Sequence, residues 1–290
     1  MEIVNYITTN VLRFLQGTMP TPTMFGLVHL LTIGLIVLTS IILCLKFGNV
    51  SYKTFKTILL VFWIGMIILE IYKQIVFSFY VEGAHTTFNY QWEVLPYQFS
   101  SVIMYILPIA LFTKGGKLHI SALAFVSTFS LLIGILTISY PVGVFSTTIG
   151  INIQSMYLHG TQVVLGIYIL VYNRDKLNIR YFVSACIVFT IAVLVALGIN
   201  IIVPNFTSET CNIFFISPYY DCPIPVLCNI YTYLKTMGLY PLFVVIYISI
   251  SSLGALLIYS IAILINRLVK HHIDKNSQTT EISYENINKS

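Results

Sequence analysis

Only two formally charged residues fall well inside apolar stretches of this chain: Glu70 and Lys73. Three residues apart, they share one helix face and can neutralise each other. An ionisable group in apolar surroundings is costly, so such a pair marks a functional site or a structural ion pair that fixes packing. Two histidines, His29 and His159, lie in other apolar stretches, and Ser100 and Ser101 in a further one. A histidine beside a hydroxyl is the minimal pair of general base and nucleophile, because imidazole takes and returns a proton near neutrality. A carboxylate can orient that histidine, as in hydrolytic triads, and Glu70 is the only candidate in an apolar stretch. Lys73 can polarise a carbonyl or hold a phosphate. His29, His159 and Glu70 also make a two-histidine, one-carboxylate metal set on paper. No HExxH-like spacing supports it, so neither metal nor cofactor is expected. The plainer reading is that the serines mediate helix contact as small residues and that each histidine is a hydrogen-bonded packing residue.

The elements that position these groups follow from composition. The chain has 290 residues, 57% hydrophobic and 9% charged, where a soluble domain carries about a quarter charged residues. That excludes a cytosolic enzyme, a nucleic-acid binder and a disordered scaffold. Seven apolar stretches reach the roughly 20 residues a membrane helix needs: 24–45, 57–81, 94–113, 120–141, 153–172, 181–203 and 238–266. Alternating ten-residue segments of a β-barrel are not seen. Lys46, Lys53 and Lys56 flank the first connection, Lys114 and Lys117 the third, and Arg174, Lys176 and Arg180 the fifth. Arg267, Lys270 and Lys275 follow the last stretch, and the even connections hold only Lys235. Positive charge stays on the cytoplasmic side. The expected fold is therefore an all-α, polytopic membrane protein with seven transmembrane helices, N-terminus outside and C-terminus cytoplasmic. Residues 1–23, with Ile3, Ile7, Val11, Phe14 and Leu15 at rough helical spacing, form an external amphipathic segment lying along the membrane surface. Without a basic n-region or small-residue cleavage site they do not resemble a cleaved signal peptide. Residues 24–266 make up the membrane domain. Residues 267–290 are read as a polar, mobile cytoplasmic tail, whose Arg267, Lys270, His271 and His272 are within reach of anionic headgroups.

Depth brings the polar residues together. Counting from the span ends at 1.5 Å per residue, His29, Glu70, Lys73, Ser100, His159 and Asn200 all fall roughly 5–17 Å below the outer boundary. They come from five different helices. Gln98, Gln154 and Gln162 sit at compatible heights, with Gln162 three residues after His159 and Tyr97 three before Ser100. The cytoplasmic half is nearly bare of strong polar groups, unlike a channel or a proton wire. These residues predict a polar pocket opening outward, with a membrane lipid ester as substrate. Cys44 and Cys186 read as packing residues. Cys211, Cys222 and Cys228 share the sixth, external connection, where a disulfide from Cys211 to Cys222 or Cys228 is open.

At these residues the chain resembles a known family. The stretches Leu69-Glu70-Ile71-Tyr72-Lys73-Gln74, Tyr90-Gln91-Trp92 and Leu95-Pro96-Tyr97-Gln98-Phe99-Ser100-Ser101 resemble the YwaF-like integral membrane proteins, bacterial relatives of transmembrane protein 164. The run from Thr148 to Gly160, through Asn152, Gln154 and His159, resembles the family's second signature, and Phe25-Gly26-Leu27-Val28-His29 its first-helix histidine. The resemblance covers about residues 20–265. It implies seven membrane helices and an acyltransferase acting on ether phospholipids. It also implies an acyl-enzyme formed on a cysteine in an LPxxxC-type motif, with a later histidine. Carried onto this chain, the histidine is His159, and the cysteine position is held by Ser100. A serine can carry an acyl group but leans more on its base than a thiol does.

The expected function is thus that of a phospholipid acyltransferase or lipid hydrolase working through a Ser/His acyl-enzyme. Ser100 is the nucleophile, His159 the base, and Glu70 and Lys73 tune the site. His29, Tyr97, Gln98, Gln154, Gln162 and Asn200 contact substrate. The expected location is a bacterial plasma membrane, with a membrane lipid as partner and no nucleic acid. The competing expectation is a non-enzymatic binder, or transporter subunit, for a small amphiphile.

Overall fold

The computed structural model describes residues 2–83, 85–207 and 209–288, with side chains described for 8–83, 85–207 and 209–270. Ten α-helices carry the chain among these residues. They are α1 (Glu2–Leu15), α2 (Leu27–Phe47), α3 (Tyr52–Ser78), α4 (Ile103–Phe112), α5 (Gly116–Phe125), α6 (Leu131–Ser139), α7 (Ile149–Tyr172), α8 (Ile179–Thr207), α9 (Leu227–Thr236) and α10 (Tyr240–Asn288). A buried π-helical turn, Val126–Ser130, joins α5 and α6 into one rod.

Six rods are long and apolar enough to cross a membrane: Leu27–Phe47, Tyr52–Ser78, Gly116–Ser139, Ile149–Tyr172, Ile179–Thr207 and Tyr240–Lys270. In an apolar medium every backbone group needs an internal partner, and the helix ends show how this is met. Ser51 Oγ accepts the Thr54 N–H at 3.2 Å and starts α3. The Tyr168 hydroxyl donates to the Phe47 carbonyl at 3.1 Å, taking up an orphan acceptor at the end of α2.

α7 is the central post. Its most apolar window is 72% buried, against 17% for α2 and 22% for α3, so its neighbours rather than lipid surround it. Small residues allow the approach. Tyr157 of α7 lies over Gly65 of α3, and Tyr72 of α3 lies over Gly150 of α7. A Cβ on Gly134 of α6 would stand 2.8 Å from the Gln162 Cβ and 3.0 Å from the His159 carbonyl oxygen.

The third expected span differs. Residues 94–113 do not form one long helix; a 3-10 turn, Phe99–Val102, leads into α4, and the apolar helix Phe99–Phe112 has 14 residues. At 1.5 Å per residue it reaches about 21 Å, short of the roughly 30 Å hydrocarbon. Pro96 is the cause: it disfavours helical backbone in the residue before it, and both Leu95 (ψ 132°) and Gln98 (ψ 160°) are extended. Apolarity alone could not reveal this break.

A second departure from an all-α fold follows α3. Strands β1 (Phe79–Glu82) and β2 (His85–Phe88) pair antiparallel, Phe79 opposite Phe88, around a turn at Gly83 with φ 58°. Alternating aromatic and β-branched residues suit a short hairpin. The expected N-terminal surface segment contains α1, which docks here. Arg13 donates to the Gly83 carbonyl, Gln16 to the Phe79 carbonyl at 2.7 Å, and Tyr72 to the Leu15 carbonyl at 2.6 Å. The side chains of Ile3 and Ile7, and those of His271, His272 and Lys275 in the expected tail, lie outside the described residues. The backbone of α10 runs on through Asn288.

Candidate functional site

The expected site residues sort into four groups. The first surrounds Glu70, which is 5% exposed. Its Oε1 takes an ion pair from Lys73 Nζ at 3.0 Å and a hydrogen bond from Gln74 Nε2 at 2.8 Å. Its Oε2 accepts from Gln154 Nε2 of α7 at 3.0 Å. The Gln74 amide also donates to the Val94 carbonyl at 2.9 Å, tethering the segment that leads into the 3-10 turn. The i,i+3 pair is therefore formed, with two amides completing the shell of the carboxylate. Outside the spans, burial pushes the Tyr90 phenol up, and the negative charge of Glu70 adds to it.

The second group is built on α7 and the 3-10 turn. His159 Nδ1 lies 3.0 Å from Gln162 Oε1, and Gln162 Nε2 donates to the Ser100 carbonyl at 2.9 Å. His159 and Gln162 are buried while Ser100 is half-buried. Among the described residues, His159 Nε2 and Ser100 Oγ make no hydrogen bond to protein. The two groups share α7, which carries both Gln154, bonded to Glu70, and His159.

The third group is a latch. Gln98 donates to the Asn212 carbonyl at 3.3 Å and accepts the Phe214 N–H at 2.9 Å. Asn200 holds Ile213 at both backbone groups, 2.8 and 2.6 Å. Phe214 and Phe215 have positive φ of 59° and 58°, a backbone state costing about 1–3 kcal/mol that persists only where surroundings enforce it. The Phe214 ring stacks on Phe99, 5.4 Å between centroids, and Tyr97 packs on Tyr105 and Phe214. Gln98 and Asn200, expected to meet substrate, spend their amides on this loop instead.

His29 stands apart. The Phe25 N–H donates to its Nδ1 at 2.9 Å, so Nε2 carries the proton and donates to the Ile138 carbonyl at 2.8 Å. Both nitrogens are committed to backbone, and His29 ties α2 to α6. Among the described residues no group of His, Cys, Asp or Glu is arranged to hold a metal ion. No disulfide joins Cys211, Cys222 and Cys228. Burial pushes the Cys211 thiol up to about 11 and the Cys222 thiol in the same direction.

A cleft of about 420 Å³ opens beside the first group, between α3, the hairpin and the start of α4. Glu70 and Gln74 form its polar end; Ile67, Ile71, Phe88 and Met104 line the rest. Pro96 and Met104, four residues either side of Ser100, both face it. Its size and mixed lining suit a small ligand or one acyl chain. A larger groove of about 520 Å³ lies between α2 and α7. Two features of the site carry weak signals or none in the residues. Gln74 was visible as a polar residue one turn after Glu70. The backbone of the 212–214 loop has no sequence signal of its own.

A family model described as the TMEM164 family matches residues 24–265. No curated protein and no solved structure matches the chain.

Proposed function

The chain belongs to the TMEM164 family, and from that premise we propose that it moves acyl groups of membrane lipids through an acyl-enzyme on Ser100, with His159 as base. One observation carries the reading. Among the expected site residues, His159 Nε2 and Ser100 Oγ are a base and a nucleophile left without protein partners, on a backbone held together by Gln162. His159 Nε2 takes the Ser100 hydroxyl proton as Oγ attacks the ester carbonyl. The acyl–oxygen bond of the lipid breaks, and the departing alkoxide receives that proton. A second alcohol then attacks the acyl-serine to complete transfer; with water, the outcome is hydrolysis. Lys73 supplies positive charge near the developing oxyanion, and the cleft beside Glu70 takes the acyl chain.

The protein is a multi-pass membrane protein with six long apolar helices. We read Phe99–Phe112 as a seventh crossing. Residues 95–98 lead into it through a turn in which the Tyr97 N–H bonds the Leu95 carbonyl at 2.7 Å, and non-helical backbone is tolerated at membrane depth where protein surrounds it. With the alternating basic connections, this supports an external N-terminus, a cytoplasmic C-terminus and a plasma-membrane location.

The test uses purified protein in vesicles of phospholipid carrying a labelled acyl chain, with lysophospholipid as acceptor and mass spectrometry as readout. Ser100→Ala and His159→Ala are expected to lower acyl transfer and hydrolysis by roughly 10²-fold or more. Activity unchanged in both variants overturns the assignment. The second reading, a non-enzymatic binder of amphiphiles, is favoured by one feature: the cleft lining includes Glu70 and Gln74 but neither Ser100 nor His159. Co-purified lipid displaced by Glu70 variants, without turnover, would establish it.

A further inference from the structure

We propose that Gln162 is a positioning residue: it locks His159 in the Nδ1–H tautomer and ties it to the Ser100 turn, so that Nε2 is the basic nitrogen. This rests on Ser100 and His159 being the nucleophile and base. Gln162 has no exposed surface, and its amide makes two bonds of unequal kind. One end meets the Ser100 carbonyl at 2.9 Å. A carbonyl only accepts, so the NH₂ group faces Ser100. The reversed amide would press two oxygens together. Oε1 therefore faces His159 Nδ1, at 3.0 Å, and an amide oxygen only accepts, so Nδ1 bears the proton. In a neutral imidazole that leaves the lone pair on Nε2, on the far side of the ring.

One side chain thus sets the tautomer of the base and the backbone position of the nucleophile. The carboxylate does not take that role, because both Glu70 oxygens are occupied by Lys73, Gln74 and Gln154. Gly134 provides the room, since a Cβ there would meet the Gln162 Cβ at 2.8 Å. His29 is the internal contrast. It holds the opposite tautomer with both nitrogens spent on backbone, so the arrangement at His159 is a local property and not a general habit of buried histidine.

Nitrogen-15 NMR of histidine-labelled protein in lipid nanodiscs reads the tautomer directly, with His159→Asn assigning the signal. The wild type is expected to show Nδ1–H at His159 and Nε2–H at His29. Gln162→Leu is expected to move His159 toward Nε2–H with His29 unchanged, and Gln162→Glu to retain Nδ1–H. In the acyl-transfer assay Gln162→Leu should lower kcat by roughly 10²-fold at unchanged KM, the loss expected when a base presents the wrong nitrogen, while Gln162→Glu, which keeps an acceptor for Nδ1–H but loses the donor to the Ser100 carbonyl, recovers only part of it. Nε2–H at His159 in the wild type, or an unaltered tautomer in Gln162→Leu, overturns the proposal whatever the activity. The predicted tautomers in a protein without turnover would refute the acyl-transfer reading and uphold the positioning geometry.

Discussion

Removing Glu70 and Lys73 together is expected to harm the fold less than removing either alone. The carboxylate is 5% exposed and receives three donors: Lys73, Gln74 and Gln154. Glu70→Leu strands the ammonium and the Gln154 amide, while Gln74 keeps the Val94 carbonyl. Lys73→Met strands a carboxylate with two amide donors left. Breaking a buried pair by removing one partner costs about 3–5 kcal/mol. The Lys73 side chain is 16% exposed and regains some hydration, which places Glu70→Leu near the lower end. In the double variant both charges are gone, and what remains is one unpaired amide, worth about 1–3 kcal/mol. At about 2–4 °C per kcal/mol for chains approaching this size, either single variant lowers the unfolding midpoint by roughly 6–20 °C and the double variant by roughly 2–12 °C. Tryptophan fluorescence of protein in one fixed detergent, all four corners of the cycle measured together, gives the coupling. A double variant whose loss equals the sum of the singles would show that the two charges do not sense each other, and the argument would fail.

Gly134→Ala should cost about 1–3 kcal/mol by overpacking, because the new Cβ meets the Gln162 Cβ at 2.8 Å and backbone oxygen at 3.0 Å. Acyl transfer should fall further than stability alone explains, as seen by comparing kcat at a temperature well below the midpoint; wild-type kcat with a lowered midpoint would contradict this. Asn200→Leu should free the loop it clamps at Ile213 and expose Cys211. In the wild type that thiol is buried and pushed up to about 11, so it stays protonated at neutral pH and maleimide labelling should be slow, quickening as pH rises toward 11. The variant should label readily near pH 8, read by mass spectrometry, and equal rates in both proteins would refute the clamp.

Some of this architecture was legible in the residues and some was not, for identifiable reasons. Hydropathy located the six long rods because a helix in lipid must be apolar over its whole length. It failed for 94–113, where the apolar count is satisfied but Pro96 and the extended Gln98 turn the backbone. The Glu70–Lys73 pair was legible because both partners lie on one helix, where i,i+3 spacing dictates contact. The grouping of His29 with His159 did not survive, because depth along a helix specifies height and says nothing about the direction a side chain faces. Residues at one height can face different partners, as these do: His29 meets the backbone of Phe25 and Ile138, and His159 meets Gln162. Gln98 and Asn200 share that ambiguity: an amide has no periodic signature to tell a strut from a substrate contact.

The spending of hydrogen bonds separates structure from chemistry at this site. A buried polar atom left unpaired costs about 1–3 kcal/mol, and among the described residues the fully buried side-chain atoms without a partner are Ser40 Oγ and Ser130 Oγ. His29, Gln98, Asn200, Glu70 and Gln154 are each engaged by backbone or by a partner side chain. His159 is engaged on one nitrogen only. His29 differs, its second nitrogen meeting the Ile138 carbonyl. His159 Nε2 and the Ser100 hydroxyl, on backbone joined through Gln162, are the two groups of this site left to a ligand, and the proposed lipid ester is the test of whether one fills both.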